Sequence, residues 1–160
     1  MGIGSMDLHI KKLQEMTPDE LYDIMKLRVD VFVVEQECLA PELDGRDKDA
    51  IHVWFTDEEG VQAYLRVLAP GVEHPEYPAI GRVLTSKKTR GTGLGGRLLA
   101  EGVCVTEEVY GKVPIYLEAQ VYAAGYYGKQ GFEIVSDEFI LDGIPHYKMV
   151  RPADGGAHAV

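Results

Sequence analysis

Hydrophobic and polar positions in the first part of the chain predict a strand, a helix and then a stretch without periodicity. Residues 7–12 alternate between polar and apolar side chains, as in a half-buried strand. Thr17 and Pro18 are typical of a helix start, and the apolar residues after them recur at spacings of three and four. Arg28 is a polar residue on that apolar face. Residues 32–47 lose the periodicity, so we expect a helix end or a short second helix that runs into a loop.

Strand patterns dominate the remaining sequence, with one long helix among them. The predicted strands cover residues 51–56, 61–68, 79–85, 113–121, 132–135 and the two arms of a hairpin around residues 142–143. An acidic turn joins the first two strands, which should therefore be antiparallel. Helices are predicted from Leu94 to Tyr110 and over residues 123–129. Since a crossover helix joins parallel strands, the fold class is mixed α/β: antiparallel strands first, then a parallel strand–loop–helix–strand unit in one twisted sheet.

Length and composition indicate one globular domain. The chain has 160 residues, of which 46% are hydrophobic and 26% charged, and these values are typical of a folded chain of single-domain size. We expect residues 1–6 to be an appended or disordered leader, residues 7–151 to be the domain, and residues 152–160 to be a flexible tail. No apolar run is long enough to span a bilayer, so we expect no membrane partner.

Charge is distributed unevenly along the chain. Residues 1–80 hold 17 acidic and 7 basic residues, whereas residues 81–160 hold 9 of each, so the net charge of −10 lies in the first half. Residues 82–97 are basic and contain no acid. An acidic surface disfavours nucleic acid, while a short basic stretch suits a small polyanion or is an ordinary solvated face. Cys38 and Cys104 lack metal-site spacing, so reduced thiols and a cytoplasmic location are expected.

The segment RGTGLGG, residues 90–96, follows a predicted strand and opens a predicted helix. Such a turn presents backbone N–H groups and the positive end of the helix to an anion, and phosphate is the natural ligand. A flexible turn before a helix is the structural alternative. The glycines also fit a dinucleotide fingerprint with Glu118 as its acidic residue, but too few residues follow for a doubly wound sheet. A P-loop is excluded because no Gly-Lys-Ser/Thr is present.

Two longer segments resemble a known family. RVLTSKKTRGTGLGGRLLAEGV resembles the acyl-CoA-binding motif of the GNAT superfamily of N-acetyltransferases, and YLEAQVYAAGYYGKQGFEIV resembles the strand–helix motif that follows it. LRVDVFVVEQ and DGIPHYKM are similar to the ElaA-type subgroup, so the resemblance covers residues 7–151. It implies a GNAT-like sheet and direct acetyl transfer from acetyl-CoA, without a metal, to a primary amine.

The resemblance also assigns the cofactor-binding residues. It implies that the pyrophosphate of acetyl-CoA is held after Arg90 by the backbone of the loop, namely Gly91, Thr92, Gly93, Leu94, Gly95 and Gly96. The strand before the loop would pair with the pantetheine. A backbone N–H near Leu84 or Thr85 would then polarise the thioester oxygen, so the identity of these side chains carries no information.

Tyr127 matches the family position of a tyrosine that contacts the cofactor and protonates the departing thiolate, with neighbouring Tyr126 as the alternative. The ordinary pKa of a phenol, near 10, makes it a competent donor to a thiolate. Glu118 is the first candidate for the base that takes the amine proton, and His146, His52 and Glu35 are the others. The candidate acceptor-binding residues are Glu35, His52, Arg82 and His146. The alternative for the two histidines is a polar residue of a pocket rim or a hydrogen-bonded core residue, and the alternative for Glu35 is a helix cap.

The acidic first half of the chain favours a cationic amine, either a small molecule or a peptide. Folds of this kind expose the edge of a strand, through which two copies of the chain could pair, so a homodimer is a further expectation. Two other classes remain open at this point: a non-catalytic acyl-CoA-binding module, and a nicotinamide or flavin dinucleotide protein.

Overall fold

The computed structural model describes residues 5–155, and its strands form one eight-stranded sheet. The strands are β1 (Asp7–Lys12), β2 (Ile51–Asp57), β3 (Gly60–Leu68), β4 (Ala79–Thr85), β5 (Ile115–Gln120), β6 (Glu133–Ile134), β7 (Phe139–Leu141) and β8 (Ile144–Arg151). Their order is β1-β2-β3-β4-β5-β8-β6, and β7 pairs with β8. All pairs are antiparallel except β4 with β5, which is parallel. The predicted mixed α/β sheet is confirmed.

Helices cover both faces of the sheet. They are α1 (Pro18–Arg28), a π-helical segment (Val29–Glu35) that continues it, α2 (Leu94–Tyr110) and α3 (Ala124–Gly128). Four 3₁₀ turns connect the elements: Leu13–Glu15, Arg46–Asp49, Lys87–Thr89 and Val121–Ala123. A capping box starts α1, since the Thr17 hydroxyl accepts from the Glu20 N–H and the Glu20 carboxylate accepts from the Thr17 N–H.

The main core lies between the sheet and α2. Leu94, Leu98 and Leu99 of α2 are fully buried and share a cluster with alternate residues of the central strands. The opposite face carries a smaller cluster that includes Ile24 of α1 and Trp54 of β2. Because both faces are covered, β2 and β3 are buried along almost their whole length.

β4 and β5 separate soon after they meet, and this separation positions the candidate site. Their ladder holds a single bridged pair, Ala79 with Tyr116. Beyond that pair, the edge of β4 from Ile80 to Thr85 has no strand partner among the described residues. The gap lies directly before the glycine-rich loop, and the one bridged pair has the parallel direction that the sequence predicted.

Most predicted boundaries agree with the structure. The strand at 79–85 and the helix from Leu94 to Tyr110 are confirmed to the residue, while the strand predicted at 113–121 is shorter. In the expected leader, Met6 packs against the core, and residues 1–4 lie outside the described residues, as do residues 156–160 of the expected tail. Across residues 5–155, every helix is too short or too polar to cross a bilayer.

Replacing the buried Leu98 by alanine should destabilise the protein. The Leu98 side chain is fully buried between α2 and the sheet, and Leu→Ala changes at such positions cost about 2–5 kcal/mol. Urea unfolding measures this loss. Val109→Ala, on the same helix at 53% exposure, is the control and should change the free energy of unfolding by less than about 0.5 kcal/mol. Similar losses in the two variants would contradict the packing of α2.

Candidate active site

A cleft of about 920 Å³ opens where β4 and β5 diverge. Its walls come from the π-helical segment, the loop after it, β4, β5, α3 and the hairpin of β7 and β8. This volume lies in the range of pockets that hold small molecules and cofactors. Of the residues predicted from sequence, those that line the cleft are Leu84, Thr85, Arg90, Gly95, Glu118, Tyr127, Glu35, Arg82 and His146.

The glycine-rich loop forms one end of the cleft. Gly91 and Gly93 have φ values of 80° and 90°, a left-handed conformation that side chains disfavour. The Gly93 conformation turns the chain into α2 at Leu94, so the N–H groups of Gly95 and Gly96 fall in the first helical turn without intrahelical acceptors. These N–H groups and the positive end of α2 make this loop suitable for binding an anion. Leu94 itself has no exposed surface and serves the core.

Arg90 forms an ion pair that the sequence did not reveal. Its Nη1 and Nη2 donate to the two carboxylate oxygens of Glu35 at 2.9 and 2.8 Å, and its Nε donates to the Thr85 carbonyl at 3.2 Å. The guanidinium holds the pKa of the Glu35 carboxyl below its usual value. Glu35 was expected to bind the acceptor, but both of its oxygens are engaged in joining the π-helical segment to the loop.

Residues at the end of β4 face the cleft through their backbone. The Leu84 side chain is buried with Trp54 and Tyr64 on the α1 side of the sheet. The Thr85 methyl lies on the opposite side, close to Gly95. The unpaired edge of the strand therefore presents N–H and C=O groups rather than side chains.

The two tyrosines of α3 have different surroundings. The Tyr126 hydroxyl donates to the Gly95 carbonyl and so joins α3 to the glycine-rich loop. The Tyr127 hydroxyl has no hydrogen-bond partner among residues 5–155, and its side chain lines the cleft at 9% exposure. Burial raises the pKa of Tyr127 well above its ordinary value, so the phenol stays protonated at neutral pH.

Glu118 and His146 face the cleft from neighbouring strands. Glu118 of β5 accepts a hydrogen bond from the Tyr116 hydroxyl at 2.7 Å and has no ion pair within the described part of the chain. Burial, with a contribution from Glu118, raises the pKa of nearby Glu73. His146 Nδ1 lies 2.7 Å from the Ile144 carbonyl. Since a carbonyl only accepts, Nδ1 carries the proton, and Nε2 of the neutral ring is left as an acceptor.

His52 does not lie at the cleft, which corrects its assignment as an acceptor-binding residue. Its side chain is fully buried in β2. One ring nitrogen is 2.6 Å from the Tyr64 hydroxyl and the other is 2.9 Å from the Asp47 carbonyl. Burial lowers the pKa of His52, which favours the neutral ring. His52 is therefore a hydrogen-bonded core residue, which was the alternative to its predicted role in binding the acceptor.

A network of charges around the buried residues Arg28, Arg66 and Asp47, which sequence reasoning missed, lies on the α1 side of the sheet and borders the cleft. Three arginines and three carboxylates form it: Arg28, Arg66, Arg82, Glu42, Asp44 and Asp47. Arg82 lines the cleft as expected, but its guanidinium is bonded to Glu42. Arg28, as a polar residue on an apolar helical face, was the only sequence signal of this network.

Comparisons with known proteins agree with this geometry. Residues 13–152 match the family described as the acetyltransferase (GNAT) domain. The chain is 41% identical over 138 residues to the UPF0039 protein Rv2851c of Mycobacterium tuberculosis (strain ATCC 25618 / H37Rv), which covers 84% of this chain and 86% of that protein. It is 36% identical over 149 residues to Protein ElaA of Escherichia coli (strain K12), which covers 91% and 94% of the two chains.

Solved structures show the same relationship. The crystal structure of Escherichia coli ElaA matches with a TM-score of 0.86 and 31% identity when aligned by structure, over 92% of this chain and 99% of that chain. An acyl-CoA N-acyltransferase from Pseudomonas aeruginosa also matches with a TM-score of 0.86, at 40% identity and the same coverage of 92% and 99%.

Asp47→Asn should destabilise the protein at neutral pH and lose that effect in acid. Asp47 binds Arg28 and Arg66 and is 7% exposed, and breaking a buried ion pair costs about 3–5 kcal/mol. Its pKa is held below the ordinary value, against the effect of burial, by these two arginines. The stabilisation is therefore complete above the unfolded-state pKa, near 4, and is lost as the pH falls further.

Urea unfolding at pH 7, 5, 4 and 3 measures the difference between Asp47→Asn and the unmodified protein, which should shrink below about pH 4. Asp49→Asn, two residues away and exposed, is the matched control and should have little effect at any pH. A constant difference across the pH range would contradict the ion-pair role of Asp47.

Proposed function

The chain belongs to the GNAT acetyltransferase family and is an acyltransferase, and on this premise we propose that it transfers acetyl from acetyl-CoA directly to a primary amine. One observation carries the proposal: the hydroxyl of Tyr127, which has no hydrogen-bond partner within residues 5–155, the open edge of β4 and the N-terminal end of α2 border one cleft. The first can donate a proton, the second can orient a thioester, and the third can bind phosphate.

Backbone groups hold the cofactor in this scheme. The N–H groups from Thr92 to Gly96 bind the pyrophosphate at the end of α2, and Arg90, whose charge is shared with the Glu35 carboxylate, lies beside them. The open edge of β4 hydrogen-bonds the pantetheine, and an N–H near Leu84 or Thr85 polarises the thioester oxygen. These donors stabilise the developing oxyanion, so the scheme requires no metal ion.

Proton transfers follow from the positions of the side chains. As the amine nitrogen bonds to the carbonyl carbon, the carbon–sulfur bond breaks, and Tyr127 gives its proton to the departing thiolate. Glu118 takes the proton that the amine loses, directly or through water, and Nε2 of His146 is the alternative base. Tyr126 is the weaker candidate for the acid because its hydroxyl is bonded to the Gly95 carbonyl.

The charge of the cleft supports a cationic acceptor. Glu73, which is ion-paired with Arg46, and Glu118 line it, and Glu118 has no cation within salt-bridge distance among residues 5–155. An ammonium group would relieve the repulsion that contributes to the raised pKa of Glu73. The proposed acceptor is therefore a small-molecule or peptide amine with net positive charge.

Calorimetric titration should show micromolar binding of acetyl-CoA and no binding of NADH. Gly93→Asp should abolish acetyl-CoA affinity, because it places a charged side chain in a left-handed position next to the phosphate site. Gly111→Asp, with φ 84° and ψ 179° at the other end of α2, is the control: this backbone conformation disfavours a side chain at least as strongly as that of Gly93, and the variant should keep the affinity. Retained binding in Gly93→Asp would refute the phosphate loop, and NADH binding would favour a dinucleotide protein.

Tyr127→Phe should lower the turnover number by about 10²-fold or more, because the thiolate would leave without its proton donor. Release of CoA thiol with a panel of cationic primary amines measures turnover, and titration should show unchanged acetyl-CoA binding. Tyr22→Phe, at an exposed position on α1, should keep full turnover. Full turnover in Tyr127→Phe would remove this residue from the mechanism, while binding without turnover in the unmodified protein would indicate an acyl-CoA-binding module.

A further inference from the structure

β4 contains a bulge at Arg82, within the part of the strand that lines the cleft and shortly before Thr85. The pairing with β3 passes from Tyr64 opposite Leu84 to Arg66 opposite Gly81, so two residues of β4 lie across from Leu65 alone. Arg82 has a φ of 52°, a left-handed conformation that is uncommon for arginine. Bulges bend a strand and redirect its groups. The direction of the N–H groups that follow therefore depends on this bulge.

Glu42 binds the bulge residue and a helix residue in the same way. Arg82 donates from Nε to Glu42 Oε2 at 2.8 Å and from Nη2 to the Glu42 carbonyl at 3.0 Å. Arg28 donates from Nε to the same carboxylate oxygen at 2.8 Å and from Nη2 to the same carbonyl at 3.2 Å. Both guanidinium groups thus use one residue of the loop as their acceptor.

Through Glu42, the position of Arg28 on α1 determines the position of Arg82 on β4. The Arg28 side chain has no exposed surface and is also bonded to Asp47 at 2.7 Å, so its location is fixed. The Glu42 side chain is 10% exposed, whereas that of Arg82 is 27% exposed at the edge of the cleft. Charge-assisted bonds with two donors have defined geometry as well as strength. Arg28 therefore anchors Glu42, and Glu42 holds the bulge.

We infer that Glu42 is a positioning residue for acyl transfer: through Arg82 it holds the β4 bulge in the conformation that aims the cleft-facing backbone N–H group of Thr85 at the acyl carbonyl, while Leu84, the residue before it, pairs with Tyr64 of β3. The inference rests on the proposed function, because it assumes that this N–H group polarises a thioester. Glu42 acts through Arg82 and takes no proton.

Glu42→Gln tests the inference, because it keeps the size and the backbone carbonyl of residue 42 and removes the charge. The turnover number should fall about 10- to 100-fold, as expected for a small misalignment of reacting groups. The KM for acetyl-CoA should change less than about two-fold, since the phosphate loop is untouched. Asp30→Asn breaks an exposed ion pair with Lys26 and serves as the matched control, with turnover unchanged.

A measurement that needs no acceptor follows the amide signal of Thr85 by NMR. In the unmodified protein this signal should differ between the CoA and acetyl-CoA complexes, because only the latter has an acyl oxygen to bond. In Glu42→Gln the difference should be lost, while signals of the glycine-rich loop still shift on binding.

Arg82→Gly provides a second variant, since glycine accepts a left-handed φ and the side chain is partly exposed. It should lower the turnover number to a similar extent. Adding Glu42→Gln to Arg82→Gly should cause little further loss, as expected for residues acting through one contact. If the fold-loss of turnover number in the double variant equals the product of the fold-losses in the two single variants, the residues act independently and the inference is overturned.

Failure of the proposed acetyl transfer and failure of the positioning role of Glu42 give different results. If the unmodified protein does not bind acetyl-CoA, both fail. If it binds and turns over, and Glu42→Gln keeps its turnover number and the Thr85 amide difference, the positioning role is overturned and the proposed function stands.

Discussion

The early separation of β4 from β5 is the constraint on which the rest of the site depends. After one bridged pair, the backbone groups on the outer edge of β4 face the cleft and have no strand partner in the part of the chain that the structure describes. Unpaired backbone groups are tolerated only where water or another molecule reaches them, so this edge has to stay open. The sheet remains intact beneath the gap because Ile80 of β4 and Leu117 of β5 belong to the same buried cluster as Leu98 of α2.

The charged network on the other face has a different role from that of the core. Burying ionised groups removes their hydration, and an apolar cluster of the same volume would often be at least as stable. Hydrophobic contacts are non-directional, however, whereas the fork of an arginine fixes its partner in distance and angle. Here Arg28, Glu42 and Arg82 lie on a helix, a loop and a strand that are far apart in sequence. Directional bonds between them fix the position of the loop that contains Glu42 at the wall of the cleft.

Local signals explain which parts of the fold could be predicted from sequence. Residues beside the helices indicate where they begin and end: Thr17 and Pro18 at the start of α1, Gly93 at the start of α2 and Gly111 at its end. Residues 32–47 carry none, because long-range ion pairs such as Arg66 with Asp44 determine their path. The prediction that His52 binds the acceptor was wrong for a related reason. Both faces of β2 are covered, so its sequence has no polar alternation that would show which side chains reach the cleft.

The two tyrosines of α3 show how tertiary contacts decide a role that sequence leaves open. Consecutive residues on a helix point about 100° apart, so only one of them can meet the first turn of α2. Tyr126 does so through the Gly95 carbonyl, and that contact orients α3 so that Tyr127 lines the cleft. Tyr126 could release its proton only by breaking the contact that holds the glycine-rich loop against α3. The division of roles therefore follows from the position of α3 against α2, which neither tyrosine's identity encodes.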